Sequence, residues 1–467
     1  MNDKFGSHLS DWGYSDGHTP PSNDRTIRLI KNASRGLIEY TSNTVQFIHE
    51  TAREFFLTGP GLGILDARLA VNPLGLSYMA LVTGCMNGIE QLRPTEKSLR
   101  DHCWRFITVY ARSVEAHGGS NVALLDRMEG SVLLGALCRR GESILHFMSR
   151  EHLTSCVLAC PGRGMHPEEA GQDEYSTSPL LAAIGWSLAP DKALVEGLVN
   201  HGANLERRDE NLRTPLLIAL KNNWLDLAEI FLKHGANINA TDVAGESALH
   251  ILVVKSKIDP TPESATEEEA RIQDIKRQYR ALLDELLSRG ADPNVRAFSN
   301  STPLHFAAIS GNSYAVKKLI EHGAALDLED ERGTPLLHAA SCHMPEAAEI
   351  CVILLDNFAD PHYKNMNQMT ALHHAARSST ASTVRQLASY GLDVNAVDKH
   401  GRNAVHIAAA RAAQPGCFEL LSALVEAGCS TTARDGLGLT PIQIAQNYHF
   451  RMDARIRALL EDGEVSW

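Results

Sequence analysis

Roughly the last three-fifths of this 467-residue chain state one phrase eight times: Thr, Ser or Asn, then Pro or Ala, then an aliphatic residue, an Ala-rich stretch, and an aliphatic run ended by Gly. The copies open at Ser178, Thr214, Ser247, Thr302, Thr334, Thr370, Asn403 and Thr440, roughly 32 to 37 residues apart except for one wide gap after Ser247. Self-similarity at such a period marks stacked supersecondary units, because each unit is too small to bury its apolar face alone.

Each part of the phrase has a physical task. The opening hydroxyl or amide can cap a helix, and Pro is tolerated in the first turn, where its missing N–H had no partner. The pairs Ala307-Ala308, Ala339-Ala340, Ala375-Ala376 and Ala408-Ala409 let neighbouring helices approach closely, with Leu and Ile filling the seam. A second helix, such as Leu227 to Leu232 or Ala315 to Ile320, then stops at Gly235, Gly290, Gly323, Gly391 or Gly428, as a left-handed cap requires. Segments such as Asn237 to Asp242 and Asp393 to Asp398 carry turn formers towards a hairpin tip. The expected fold is mainly α, a solenoid of about eight helix-turn-helix repeats.

The fullest copy, Thr302-Pro303-Leu304-His305-Phe306-Ala307-Ala308 answered by Leu319-Ile320-Glu321-His322-Gly323-Ala324, resembles the ankyrin repeat. The resemblance implies a non-enzymatic scaffold that holds a protein partner on a concave face of hairpin tips and first helices. His250, His305, His373 and His406 recur at the fourth place of the phrase, so they read as structural; Leu181, Leu217, Leu337 and Gln443 stand there in other copies.

Departures from the repeat carry the more specific expectations. The third copy swells by about 22 residues, and from Glu267 onward Ile272, Ile275, Tyr279, Leu282, Leu283, Leu286 and Leu287 form an apolar stripe, predicting a long inserted helix near 258–288. Its acidic start suits a docking arm or a tolerated insertion. An apolar residue at a hairpin tip gains little from internal burial, which makes Phe298, Met366 and Met369 the leading interface candidates, with Arg296, Arg332 and Arg402 beside them and Trp224 at a helix turn. Ala454 to Glu461 reads as an amphipathic capping helix, and Ser143-Ile144-Leu145-His146-Phe147 as half a repeat opening.

The N-terminal part is different. Residues 1–24 are polar and rich in Ser, Gly, Asp and Pro, the composition of a disordered tail without the apolar core of an export signal. Over 25–160, a short helix at Thr26 to Ile30 is followed by two strands, Gly36 to Tyr40 and Thr44 to Ile48, and a helix from His49 to Leu57. The words GLIEY and VQFIHETAREFFLTGPG resemble the winged-helix segment of fungal NACHT-type signalling ATPases, in which ankyrin repeats follow the NTPase module. That implies a second reading, a recognition or regulatory fragment acting with a separate nucleotide-binding module. Residues 161–176 then form a flexible connector, and the repeats occupy 177–467.

No chemistry accompanies these segments. No G-x-x-x-x-G-K-[ST] occurs, and Gly59-Pro60-Gly61-Leu62-Gly63 lacks both the phosphate-reaching lysine and the magnesium-binding hydroxyl. His49-Glu50 opens like a zincin helix, but Arg53 stands where the second histidine belongs, and Cys156, Cys160 and His166 fall short of a four-ligand zinc set. No catalytic, metal or cofactor residue is assigned. The net charge of -12 disfavours nucleic acid and anionic membrane and favours a basic partner. The expected location is cytoplasmic or nuclear, not secreted.

Overall fold

The computed structural model describes residues 38–41, 44–47, 111–116, 118–128, 143–163, 178–185, 190–257, 267–342, 344, 346–378, 380–448 and 453–462. The tail, the helices expected at Thr26 to Ile30 and His49 to Leu57, most of the connector and the first residues of the insertion lie outside them. The chain divides into two compact units, Met1–Asp209 and Glu210–Trp467.

In the first unit, strands Ile38–Thr41 and Thr44–Phe47 pair antiparallel, with Ile38 opposite Phe47 and Thr41 opposite Thr44. This is the hairpin expected from the sequence. Further along, Ile144–Arg150 and Thr154–Ala159 form a helix pair, and Pro179–Gly185 and Lys192–Asn200 form another. First helix packs on first helix and second on second, so the half-opening at Ser143 belongs to a stacked pair. Ser143 caps its helix, and its Oγ lies 2.7 Å from His146 Nδ1.

The second unit continues the scheme through seven helix pairs among the described residues, from Pro215–Lys221 with Leu225–Lys233 to Pro441–Tyr448 with Ala454–Asp462. Each first helix from Pro215–Lys221 onward packs on the next, as do the second helices from Glu267–Ser288 onward. The alanines of the four Ala-Ala pairs are all 0% exposed, which explains their size: a larger side chain would force the helices apart. At the far end Ile456, Leu459 and Leu460 turn inward and Arg455 and Arg457 outward, covering the last seam as a cap must.

The expected long helix is present. Glu267–Ser288 runs 22 residues, against 9 in Ser313–Glu321 and 10 in Ala347–Asp356. Its C-terminal half is anchored through buried Tyr279, Leu282, Leu283, Leu286 and Leu287, and Tyr279 donates to Asn223 Oδ1 at 2.7 Å. In its N-terminal half, Ile272 and Ile275 stay exposed, so the apolar stripe outruns the surface available to cover it.

The recurring histidines tie the repeats together. His305 Nδ1 accepts from the Thr302 amide at 3.0 Å, fixing the ring proton on Nε2, which donates to Gly333 O of the next hairpin at 3.1 Å. His250 reaches Ser301 O, His373 reaches Arg402 O and His406 reaches Leu439 O in the same way, at 3.1, 3.0 and 3.2 Å. One imidazole thus serves as helix cap and as stitch to its neighbour. Burial lowers the pKa of all four, that of His305 to about 4, so the stitch is neutral.

Among the described residues of the second unit, one second-helix cap breaks the glycine pattern. Where Gly323 takes φ +85°, the matching place after Ala347–Asp356 holds Phe358 at φ +70°, with its side chain 95% exposed. Its amide donates to Leu355 O at 3.0 Å and that of Ala359 to Leu354 O at 3.0 Å, the same termination that Gly323 and Ala324 make. Phe358 therefore carries left-handed backbone strain with no packing in return.

Two outcomes follow from these features. Because the unfolded chain binds protons on histidine near pH 6.5 while the folded rings resist them, stability is full above that pH and declines as pH falls from about 6.5 towards 4. Calorimetric melting of His305→Gln, which imitates Gln443, is expected to show a shallower decline over that range than the parent chain. Phe358→Gly is expected to raise the melting midpoint by roughly one or two degrees, since relief of about 1–2 kcal/mol of left-handed strain exceeds the added freedom of the unfolded chain. An unchanged or lowered midpoint would show that the aromatic ring is stabilising where it stands.

Candidate functional site

The hairpin tips are built around an acid or amide that closes the loop on itself. Asp242 Oδ1 accepts from the amides of Ala244 and Glu246 at 2.9 and 3.0 Å, and Asp398 Oδ1 from those of His400 and Arg402 at 2.8 and 3.0 Å. Asn365 and Asp435 repeat the arrangement with Asn367 and Met369, and with Leu437 and Leu439. These side chains are the framework of the tips; the sequence marks them only as turn formers, since their acceptor role depends on the folded loop.

Successive tips are joined by main-chain bonds. Val243 N donates to Asn211 O at 2.9 Å, Phe298 N to Ala244 O at 2.6 Å, Lys399 N to Asn367 O at 3.0 Å and Gly436 N to His400 O at 2.7 Å. Phe298 is therefore held by its backbone while its side chain is 89% exposed. Met366 is 81% exposed on its own tip, and Leu437, which the sequence reading passed over, is 84% exposed on the last. Its place between Gly436 and Gly438 at a tip was the available signal.

The remaining candidates fall in different surroundings. Arg296 is exposed beside Phe298, and Arg332 is exposed with its amide donating to Asp330 Oδ1 at 2.7 Å. Arg402 is committed inside its own tip, where its guanidinium meets buried Asp398 Oδ2 at 2.7 Å. Trp224 is half-buried at the N-terminus of Leu225–Lys233. Met369 is buried, not a protruding tip residue: its amide and carbonyl close the loop around Asn365, which turns its side chain inward.

One tip is a residue short. Asp330 N pairs with Gly333 O, three residues on, where Asp242, Ala297, Asn365, Asp398 and Asp435 pair four residues on. Here the link to the following tip is Asn365 Nδ2 to Arg332 O at 3.2 Å. Beside the shortened tip lies a cavity of about 410 Å³, bordered by Arg332, His338, Asn365, Met369, His374 and Arg377. Its size is within the usual range for ligand sites.

His338 and His374 occupy equivalent places, one residue past the stitching position, and both are 5% exposed. His338 Nε2 donates to Asp330 Oδ1 at 2.9 Å, and Asp330 Oδ2 accepts from Ser301 Oγ at 2.7 Å. These bonds, with two backbone amides, hold the Asp330 carboxyl well below the ordinary range despite its burial. Ligand-type atoms of His305, Asp330 and His338 lie within 4.8 Å of one another. Both nitrogens of His305 are already engaged by Thr302 and Gly333, and its ring meets His338 edge-on, so the trio is a packed structural cluster in which His338 fastens Asp330 of the short tip.

Comparison with known proteins agrees with this geometry. Family models described as ankyrin repeats match residues 198–252 and, in two overlapping stretches, 273–365 and 346–435. The E3 ubiquitin-protein ligase KEG of Arabidopsis thaliana is 26% identical over 279 residues, 54% of this chain and 17% of that protein. An ankyrin repeat protein of Rickettsia felis is 26% identical over 324 residues, 61% of this chain and 82% of the relative. Human inversin is 27% identical over 218 residues, 42% of this chain and 20% of inversin. The chain thus spans about a fifth of the length of the first and third of these. The solved ankyrin repeat domain of human ASB11 covers 54% of this chain and 98% of its own at 22% identity, with a TM-score of 0.44. Over residues 198–252 and 273–435 the capped helix pairs, histidine stitches and linked tips are ankyrin repeats, and the fold they build is an ankyrin-repeat solenoid.

Proposed function

We propose that this chain is a non-enzymatic scaffold that holds a protein partner on the face made by the hairpin tips and first helices. Ankyrin repeats generally mediate protein–protein interaction. The observation that carries the proposal to particular residues is the exposure of Phe298 and Met366 on backbones fixed by their own and neighbouring tips. A large apolar side chain on a backbone that is already fixed adds no cost of ordering the loop on binding, which is the property of an interface anchor. Arg296 flanks the first anchor and Arg332 lies on the tip between the two.

A second reading, a recognition fragment of a fungal NACHT-type signalling NTPase, draws support from the paired strands Ile38–Thr41 and Thr44–Phe47, which suit the wing of a winged helix. On either reading the partner is a protein and the compartment cytoplasmic or nuclear; among the described residues no helix is long and apolar enough to cross a membrane.

Affinity capture from extracts of the source organism, with bound proteins identified by mass spectrometry, tests the scaffold. The double variant Phe298→Ser with Met366→Ser is expected to lose the principal partner at an unchanged melting temperature, because neither side chain contributes to the core. Full retention of that partner would remove the tips from the interface. For the second reading, a nucleotide-binding module carrying G-x-x-x-x-G-K-[ST], either encoded in frame upstream or captured with the chain from the same extracts, is the expected finding, and failure to find it in both places rejects the reading.

A further inference from the structure

We propose that the cavity beside the shortened tip binds an anionic side chain of a partner peptide, a carboxylate or a phosphate, between Arg332 and Arg377. The inference rests on the protein-binding reading above and names the partner chemistry at one point of the same face.

The first observation is a pair of uncommitted cations. Arg385, Arg402 and Arg455 each engage an acid at 3.2, 2.7 and 2.9 Å. Among the described residues, the exposed guanidiniums of Arg332 and Arg377 have neither an ion pair nor a side-chain hydrogen bond, although the chain carries a net charge of -12. Two such groups at one cavity can grip a carboxylate or phosphate through charge-assisted, bidentate bonds. Glu331 is the one acid on the cavity lining; it is exposed and makes no ion pair with its neighbour Arg332. Asp330 below it is already balanced by His338, Ser301 and two amides.

The second observation is a buried donor without a partner in the cavity wall. Asn365 Oδ1 accepts the amides of Asn367 and Met369, both at 3.0 Å, so its Nδ2 is the group facing His374 Nε2 at 3.3 Å. His374 must then accept at Nε2 and carry its proton on Nδ1, which has no hydrogen-bond partner. Burial, with Arg377 nearby, lowers the ring's pKa to about 4, so His374 is the neutral, Nδ1-protonated ring. His338 Nδ1, in the same wall, also has no hydrogen-bond partner. The cause of the whole arrangement is the one-residue deficit of the tip, which leaves room where the other tips meet their neighbours.

Fluorescence anisotropy with the full chain and dye-labelled peptides at 50 mM NaCl tests the proposal, using tetraglutamate, a phosphoserine peptide of equal charge, and tetralysine as probes. At least one anionic peptide is expected to bind, against the overall negative charge, and to weaken at least tenfold in Arg332→Gln with Arg377→Gln, while Arg271→Gln on the inserted helix leaves binding as it was. Equal binding of both anionic probes assigns any anionic side chain; binding of one alone assigns that chemistry. Absence of binding by both up to millimolar concentration, preference for tetralysine, or insensitivity to the two cavity arginines overturns the proposal. Because no native partner enters this experiment, it can fail while Phe298 and Met366 still prove to be anchors, and the reverse also holds.

Discussion

An imidazole that uses one nitrogen to close its own helix and the other to hold the next hairpin is what the body from Ser247 onward depends on. At His250, His305, His373 and His406 the acceptor nitrogen is fixed by a backbone amide, so only the neutral ring with its proton on Nε2 satisfies both ends. The bond leaving the repeat is between neighbours, and so are the Ala-Ala seams and the links between tips. Stability in such a body is a chain of local terms. A side chain at the edge of the chain of contacts can change without consequence for the rest, which is why a solenoid can vary its tips while keeping its seams.

Much of this was legible in the sequence, and the parts that were not share a cause. The eight openings, the second helices, the long insertion and the capping helix are set by local pattern: a cap residue, a period, a glycine stop. The pair at Ile144–Arg150 and Thr154–Ala159 was visible only as half a phrase, since its second helix ends without the usual glycine, at Cys160 followed by Pro161. Met369 illustrates the opposite difficulty. From the sequence it sits at a tip like Met366, three residues away; whether it faces out depends on the loop closing around Asn365, which needs the folded amides to be in place. The expected winged helix at the N-terminus rests on a hairpin whose flanking helices lie outside the described residues.

Phe358 extends the argument from burial to strain. The period asks for glycine there, and the backbone adopts the conformation glycine would take, so the repeat imposed its geometry on a residue poorly suited to it. Tertiary stacking on both sides over-determines that turn. Strain held this way is tolerated because neighbouring seams supply the stability, the same local independence that lets Phe298 and Leu437 stand in water.

The shortened tip shows how one missing residue becomes chemistry. Two regular tips each hand a neighbour a main-chain bond and pair their acid with a cation, Asp398 with Arg402 and Asp242 with Lys221. At Asp330 the loop is too short to repeat this, so the acid turns to His338, the link to the next tip passes to an asparagine side chain, and Arg332 is left without an acid. Net charge describes the whole surface at long range, screened over about 8–10 Å at physiological salt; contact chemistry is decided within a few ångströms. A chain of net charge -12 can therefore present a locally cationic cavity, and the sign of its partner there is set by Arg332 and Arg377 rather than by the sum over the sequence.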